Sequence, residues 1–354
     1  MSMQNYSTVP SRNLIRAEGE MLKHAEPVIV LGGFGVQKQH PKRKTDTVVF
    51  RRLKPFNATS NEVANIDPTN FVTAEGTTPN ANTISYTDVS VTLEQYAVLF
   101  KYSSKSELMY EDDIPGDMQK LTGETLGEVA ELVSYGAVKS GSSVIYANGS
   151  TRAGLNSTIS LNNLRAAARS MENNRGKHVT SRIAPGAAFG TSAVEPAYVV
   201  FIHTDMMSDV MDLPKYTQRV EYGTAIKPIH AREIGSCEGF RFVTSPLFRP
   251  FLAAGASVDT TGMVSAGGSK CDVYPLIVIA EDAWGHVSLK GERIPGTKNA
   301  AKTGITPRLV PAGQINHANP SGMFGYVGAD FWYAPVRLNE NWMTRIEACA
   351  TDVS

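Results

Sequence analysis

The sequence predicts an α+β fold, with helices and strands gathered into separate runs. Three observations point there. Two helical patterns follow one another between residues 117 and 176, whereas most of the chain after Phe240 reads as strand. Two extended runs, at 47–56 and 84–102, flank a polar stretch of 26 residues, Asn57 to Asn82, a length that compact domains seldom leave without a function. Finally, Gly32, Gly33 and Gly35 lack the third glycine and the following helix that would open a doubly wound sheet.

The 354 residues (38.3 kDa) have room for one large or two medium domains. Hydrophobic residues at 42% and charged residues at 19% exclude disorder as the dominant state. No apolar run approaches ~18 residues, so no membrane-spanning helix is expected. The segment MSMQNYSTVPSRN has no apolar signal core, which argues against secretion by that route. Cys237, Cys271 and Cys349 are too few and too scattered for a disulfide framework or a metal cage.

In order along the chain, the first 35 residues show no sustained period and read as an arm. TVVFRRLKPF (47–56) is a strand stopped by Pro55. In the second extended run the apolar parity slips. Ile84 and Tyr86 share one face, Val89, Val91 and Leu93 the other, and Tyr96, Val98, Phe100 and Tyr102 return to the first. Such slips imply a bulge or bend in one long strand, or two strands in succession. The two runs together predict a long projecting hairpin, which needs a neighbour to bury its faces. Asp117 is positioned to cap a helix to Lys139, with Met118, Leu121, Thr125, Val129, Leu132 and Val133 on its apolar face. A second helix runs from a Ser160 cap through Leu161, Leu164, Ala168 and Met171 to Gly176. After a Gly/Pro/Ala-rich link (183–197), Tyr198–Ile202 is a buried strand, and Thr204 caps a short helix over 205–211. Strands are expected at 240–243, 273–280, 286–289, 325–338 and 343–348, with Gly-rich loops at 253–269 and 291–322.

Charge is balanced overall, 34 basic against 34 acidic side chains, which weakens a reading as a general nucleic-acid binder. Locally it is not balanced. Residues 1–54 hold ten Lys/Arg against four acids, including Lys38, Lys42, Arg43, Lys44, Arg51, Arg52 and Lys54. From Pro55 to Phe100 there is no Lys or Arg, while Glu62, Asp67, Glu75, Asp88 and Glu94 are present. One reading is a solvated basic arm beside a polar loop. A second has the basic segment of one copy meeting the acidic segment of another, with Lys42, Arg43, Lys44, Arg51, Arg52, Glu62, Asp67 and Glu75 as contacts. A third sets the 38–54 cluster against phosphates, although it lacks aromatic residues interleaved for base stacking.

The search for chemistry comes back empty. GERIPGTK (291–298) places Thr297 before Lys298, the reverse of the order in which a phosphate loop uses lysine and hydroxyl. The seven histidines show no metal-ligand spacing. Glu111, Asp112 and Asp113 point in different directions, as acids solvating a turn do. His203 with Asp205 at a strand end is the one plausible acid–base pair. The plainer reading is that His203 closes the strand and Asp205 sits in the first helical turn.

The blocks VVFRRLKPFNATSNEV, EGTTPN, VTLEQYA, AYVVFIHTD, REIGSCEGFRFVTSP and GYVGADFWYAPVRLNENWMTRIE resemble, in that order, the major capsid proteins of tailed phages, specifically the coat-protein family of the N-four-like podoviruses. The resemblance spans about residues 40–349; Thr204 stands where that family usually has proline. It implies a Hong Kong 97-like capsid fold: an N-terminal arm (1–46), an extended loop (47–102), a peripheral domain (103–182) with a spine helix (117–139), an axial domain (183–324), and return strands (325–354). It further implies a structural protein without catalytic, cofactor or metal sites, assembling with itself into hexamers and pentamers around double-stranded DNA. A portal, scaffolding and decoration proteins are the other partners it implies, with assembly in the host cytoplasm and residence in the virion. The alternatives are an encapsulin-like cellular compartment and, in a different class, an α+β enzyme using His203 and Asp205. The phage that gives the fold its name links its shell through a lysine on the extended loop. Here 55–100 contains no lysine, so that bond is not expected from this loop.

Overall fold

The computed structural model describes residues 30–56, 66–79, 81–180, 195–222, 228–258, 262–289, 308–315, 317 and 319–353. The arm expected at 1–46 therefore lies mostly outside the described residues, as do Glu62 and the GERIPGTK segment. Within them the first half of the chain forms β1 (Val36–His40), β2 (Thr47–Leu53), β3 (Tyr86–Thr92), β4 (Glu94–Ser103), α1 (Ser104–Met109), α2 (Ile114–Lys139) and β5 (Val144–Tyr146). The second half forms α3 (Leu161–Asn173), β6 (Tyr198–Ile202), α4 (Met207–Met211), β7 (Tyr216–Gln218), β8 (Glu233–Cys237), β9 (Phe240–Thr244), β10 (Val273–Ile279), β11 (Trp284–Leu289), β12 (Arg308–Val310), β13 (Phe324–Arg337) and β14 (Met343–Cys349).

A seven-stranded mixed sheet in the order β5-β14-β10-β6-β9-β8-β7 makes the larger body. Its central strands read YVVFI, FRFVT and VYPLIVI and are buried throughout, the continuous apolar pattern of strands covered on both faces. Pro275 is tolerated in β10 because β6 pairs only with Ile277–Ile279, leaving that edge of the strand free at the proline. Leu164, Ala167 and Met171 of α3 cover one face with Met206 and Val210. Tyr135 and Val138 of α2, with Val30 and Leu31, cover the other.

A second sheet, β1-β11-β13-β12, also carries β4, which pairs with β13 over ten residues. Leu126 and Ala130 of α2 pack on Ala329, Phe331 and Tyr333 of this sheet, where the Ser134 and Tyr333 hydroxyls are 2.7 Å apart. α2 thus braces both sheets.

Several expectations need correction. α2 begins three residues earlier than expected, capped by Asp113, whose carboxylate accepts from the Gly116 amide at 3.1 Å; Asp117 lies inside the first turn. Its most buried stripe is Thr122, Leu126, Ala130, Ser134 and Val138, while Leu121 is exposed: small and hydroxylated side chains mark the closest approach to the sheet. His203, not Thr204, caps the turn after β6, its Nδ1 accepting from the Asp205 amide at 3.2 Å. The parity slip resolves as two strands, since β3 ends at Thr92 and β4 departs after the buried Leu93 to join the other sheet. Residues 30–40 are part of the body: Val30 and Leu31 are buried, and β1 pairs in parallel with β11.

Candidate assembly surface

β2 and β3 pair from Thr47↔Thr92 to Leu53↔Tyr86. Alternation along them sets two faces. Val48, Phe50, Val89 and Val91 turn inward against Val287, Ala334 and Val336 of the second sheet, which anchors the base of the hairpin. Val49, Arg51, Leu53, Tyr86 and Asp88 are left outside. Beyond the paired base, Phe56 meets Phe71 edge-on at 5.9 Å, and Ile66, Val72 and Ile84 stay exposed, Val72 at 82%. Scattered exposed apolar side chains are ordinary. Eight large ones fall between Val49 and Tyr86, a concentration in one segment that makes the hairpin the candidate contact site.

The predicted charged contacts separate. Arg51 makes a two-pronged ion pair with Asp88 across the hairpin, both bonds at 2.8 Å, which lowers the Asp88 pKa and raises that of Arg51. Arg52 lies over the Trp342 ring at 5.5 Å. Lys42, Arg43 and Lys44 are exposed on the turn between β1 and β2, Arg43 with a left-handed φ of 62°. Asp67 accepts from the Thr69 amide and hydroxyl at 3.0 and 2.7 Å, capping the turn Pro68–Phe71. Glu75 is exposed beside Gly76. Sequence reasoning missed the pairing of Arg51 with Asp88: the register across a 32-residue connection is not readable from alternation alone.

His203 Nδ1, the acceptor of the Asp205 amide, lies 3.2 Å from Asp205 Oδ2, and that oxygen accepts from the Tyr274 hydroxyl at 2.7 Å. Both side chains thus serve the strand–helix turn. A cleft of about 420 Å³ lined by Glu172, His178, Tyr198 and Glu238 includes neither of them. Among the described residues no group of three or more His, Cys, Asp or Glu is placed to hold a metal ion.

Where the chain enters the body, Glu131 of α2 is buried and accepts from the Val30 amide at 3.1 Å and the Leu31 amide at 3.0 and 3.2 Å. Burial pushes its pKa up to about 7, against the opposing pull of those amides. Nothing in the sequence singles out this glutamate among its neighbours on the helix.

No protein-family profile and no curated protein matches the chain. Solved structures match it almost end to end. The capsid of Ralstonia phage GP4 superposes with a TM-score of 0.64 at 12% identity, covering 98% of this chain and 99% of that one. The capsid structure of cyanophage P-SCSP1u gives 0.57 at 11% identity over 96% and 94%, and the mature capsid of bacteriophage PhiM1 gives 0.55 at 9% over 98% and 94%. The fold is therefore that of phage capsid subunits, the Hong Kong 97-like class, as the sequence predicted.

Proposed function

We propose that this chain is the major capsid protein of a tailed double-stranded DNA phage, of the N-four-like coat-protein kind. Copies of it assemble as hexamers and pentamers into the icosahedral head, and its role is structural. The observation that carries this reading is a capsid fold matched over nearly the whole chain, on a subunit whose hairpin leaves large apolar side chains exposed. Copies of the chain would bury those side chains against one another. Residues 47–92 are then the projecting part of the extended loop, α2 the spine helix, and the seven-stranded sheet the core of the axial domain. A portal, scaffolding and decoration proteins, and packaged DNA complete the set of partners, and the protein resides in the virion.

Expression of the chain alone or with the phage's other head genes, followed by light scattering and negative-stain microscopy, tests the reading. Closed shells are the expected product. Discrete monomers or dimers under every condition would overturn it, and shells that load a cellular enzyme instead of a genome would reassign it to a compartment.

A further inference from the structure

β11 carries a row of polar groups that the surrounding elements leave unpaired. Trp284, His286 and Ser288 alternate onto the same side of the strand, the side that α2 covers. All three are buried. Among the described residues, the Trp284 indole nitrogen, both His286 ring nitrogens and the Ser288 hydroxyl have no hydrogen-bond partner. Buried polar groups are seldom left in that state. His286 is the member of the row that can gain a charge near neutral pH. Its ring is completely buried beside those of Trp284 and Tyr333, with centroids 5.5 and 5.6 Å away.

The elements packed on this side have their charges engaged elsewhere. On α2, the Glu131 carboxylate is held by the Val30 and Leu31 amides. The Tyr135 hydroxyl and the Lys139 ammonium both donate to the Arg249 carbonyl at 3.0 Å. On β13, the Tyr333 hydroxyl meets Ser134, while Arg337 pairs with Glu340 and donates to the Val138 carbonyl at 3.2 Å. On β4, Glu94 accepts from the Tyr96 hydroxyl at 2.8 Å. On β1, Gln37 stands in register with His286, and Lys38 turns to the opposite side, 4.2 Å from the centre of the Phe50 ring. His40, at the end of β1, is bonded to the Thr45 carbonyl. None of these groups receives a proton-bearing nitrogen of His286, and burial pushes its pKa down to about 4.

Topology decides which neighbour can yield. β1 is the edge strand of this sheet, five residues long and parallel to β11, a pairing slightly weaker per residue than an antiparallel one. β13 is held by three strands, and α2 packs against both sheets. Just before β1 the backbone lies on the end of the row: a Cβ on Gly35 would stand 2.9 Å from the Trp284 ring. Lifting β1 therefore opens the flank of the row with the least loss of contact.

We propose that His286 is an acid-opened latch: its protonation frees β1 from β11 while Val30 and Leu31 stay on Glu131. In the closed form the ring is held neutral. In the open form it meets water and takes up a proton, so acid below the ordinary value of 6.5 favours opening until the closed form titrates as well. Glu131 runs in the opposite sense, since its protonated form is favoured in the fold. Acid thus loosens β1 and leaves the segment before it anchored.

The test is hydrogen exchange on the full chain as dissociated subunits, so it does not depend on shell formation. Exchange of the 36–40 amides is followed by mass spectrometry from about pH 7 to 4, corrected for its intrinsic pH dependence, in the wild type and in His286→Phe. Glu131 titrates in both chains and cancels in their ratio. Protection of 36–40 in the wild type relative to the variant is expected to fall about tenfold per pH unit below 6.5, and about a hundredfold by 4.5. A constant ratio would overturn the latch. An equal fall in the amides of β10 would also overturn it, because His286 would then govern global acid unfolding and not β1. If His286→Phe does not fold, His286→Gln takes its place as the uncharged reference with the same expectation. Exchange at the ring C2 hydrogen of His286 checks the wild type alone: it should titrate well below 6.5, and titration at 6.5 or above would overturn the proposal.

Discussion

The seven-stranded sheet and the β2–β3 hairpin are built from the same kinds of residue and end in opposite states. In the sheet, Phe201, Leu276 and Ile346 are fully covered by the chain's own helices and strands. In the hairpin segment, Phe71, Val72 and Ile84 are just as apolar and stay largely exposed. The first region is complete in one copy; the second leaves its apolar residues outside. On the proposed capsid reading, stability of the subunit and competence to assemble would lie in different residues and could be lost separately.

Truncation should break the comparison most sharply. A chain starting after residue 29 keeps Val30, Leu31 and β1, so it should fold and melt like the full chain while assembling poorly. A chain starting after residue 46 loses two buried aliphatic side chains, worth about 1.5–3 kcal/mol each, together with the β1–β11 pairing, and should melt many degrees lower. Thermal unfolding of the two would decide it, and equal melting would show that residues 30–46 are a free arm after all. Next in size, Phe201→Ala should cost about 3–5 kcal/mol in denaturant unfolding, since its ring is buried against Phe34 and Phe248. The pair Phe71→Ser and Val72→Ser should leave unfolding unchanged and abolish shells. A hairpin variant that unfolds as easily as Phe201→Ala would erase the distinction.

A third expectation sharpens the boundary itself. Glu131 has a folded pKa of about 7 against an ordinary 4.5, so the protonated form is favoured in the fold. Its contribution is fully present below pH 4.5 and is lost as pH rises through 7, roughly 3 kcal/mol in all. Relative to Glu131→Gln, the wild type should lose stability across that window, and parallel pH profiles would refute the assignment. The smallest effect concerns Arg51. Its pair with Asp88 is exposed, so Arg51→Glu should hardly move subunit melting. Scattering kinetics should slow if the outer face of the hairpin is a contact, and recover when Asp88→Arg is added.

Much of this division was legible in the sequence. Continuous apolar runs such as YVVFI marked buried strands, and the two extended runs that flank the 26-residue polar span hold the paired strands β2 and β3. Short edge strands such as Tyr216–Gln218 and Val144–Tyr146 were not legible, because three residues carry no period and are specified by their partners. The charged contacts were half legible. Composition separated a basic segment from an acidic one, but only register shows that Arg51 meets Asp88 in its own chain. The parity slip at Leu93 allowed a bend or two successive strands, but the reading kept both in one hairpin to residue 102, whereas β4 leaves it for the other sheet. The stripe predicted for α2 was partly right: Met118, Val129 and Val133 pack inward half-buried, Leu121 is exposed, and the small side chains of Thr122 and Ser134 are buried more deeply.

The position of β14 sets the order in which this molecule can come into being. The strand lies between β5 and β10, so Val144–Tyr146 can pair with Arg345–Glu347 only after some two hundred further residues have been made. At synthesis rates of roughly 5–20 residues per second, β5 waits about 10–40 s for its partner. While it waits, the central sheet is open on that side and no docking surface that depends on it has its final shape. On the proposed capsid reading, a half-made copy would lack the shape needed to join finished ones, and the chain would carry its own delay.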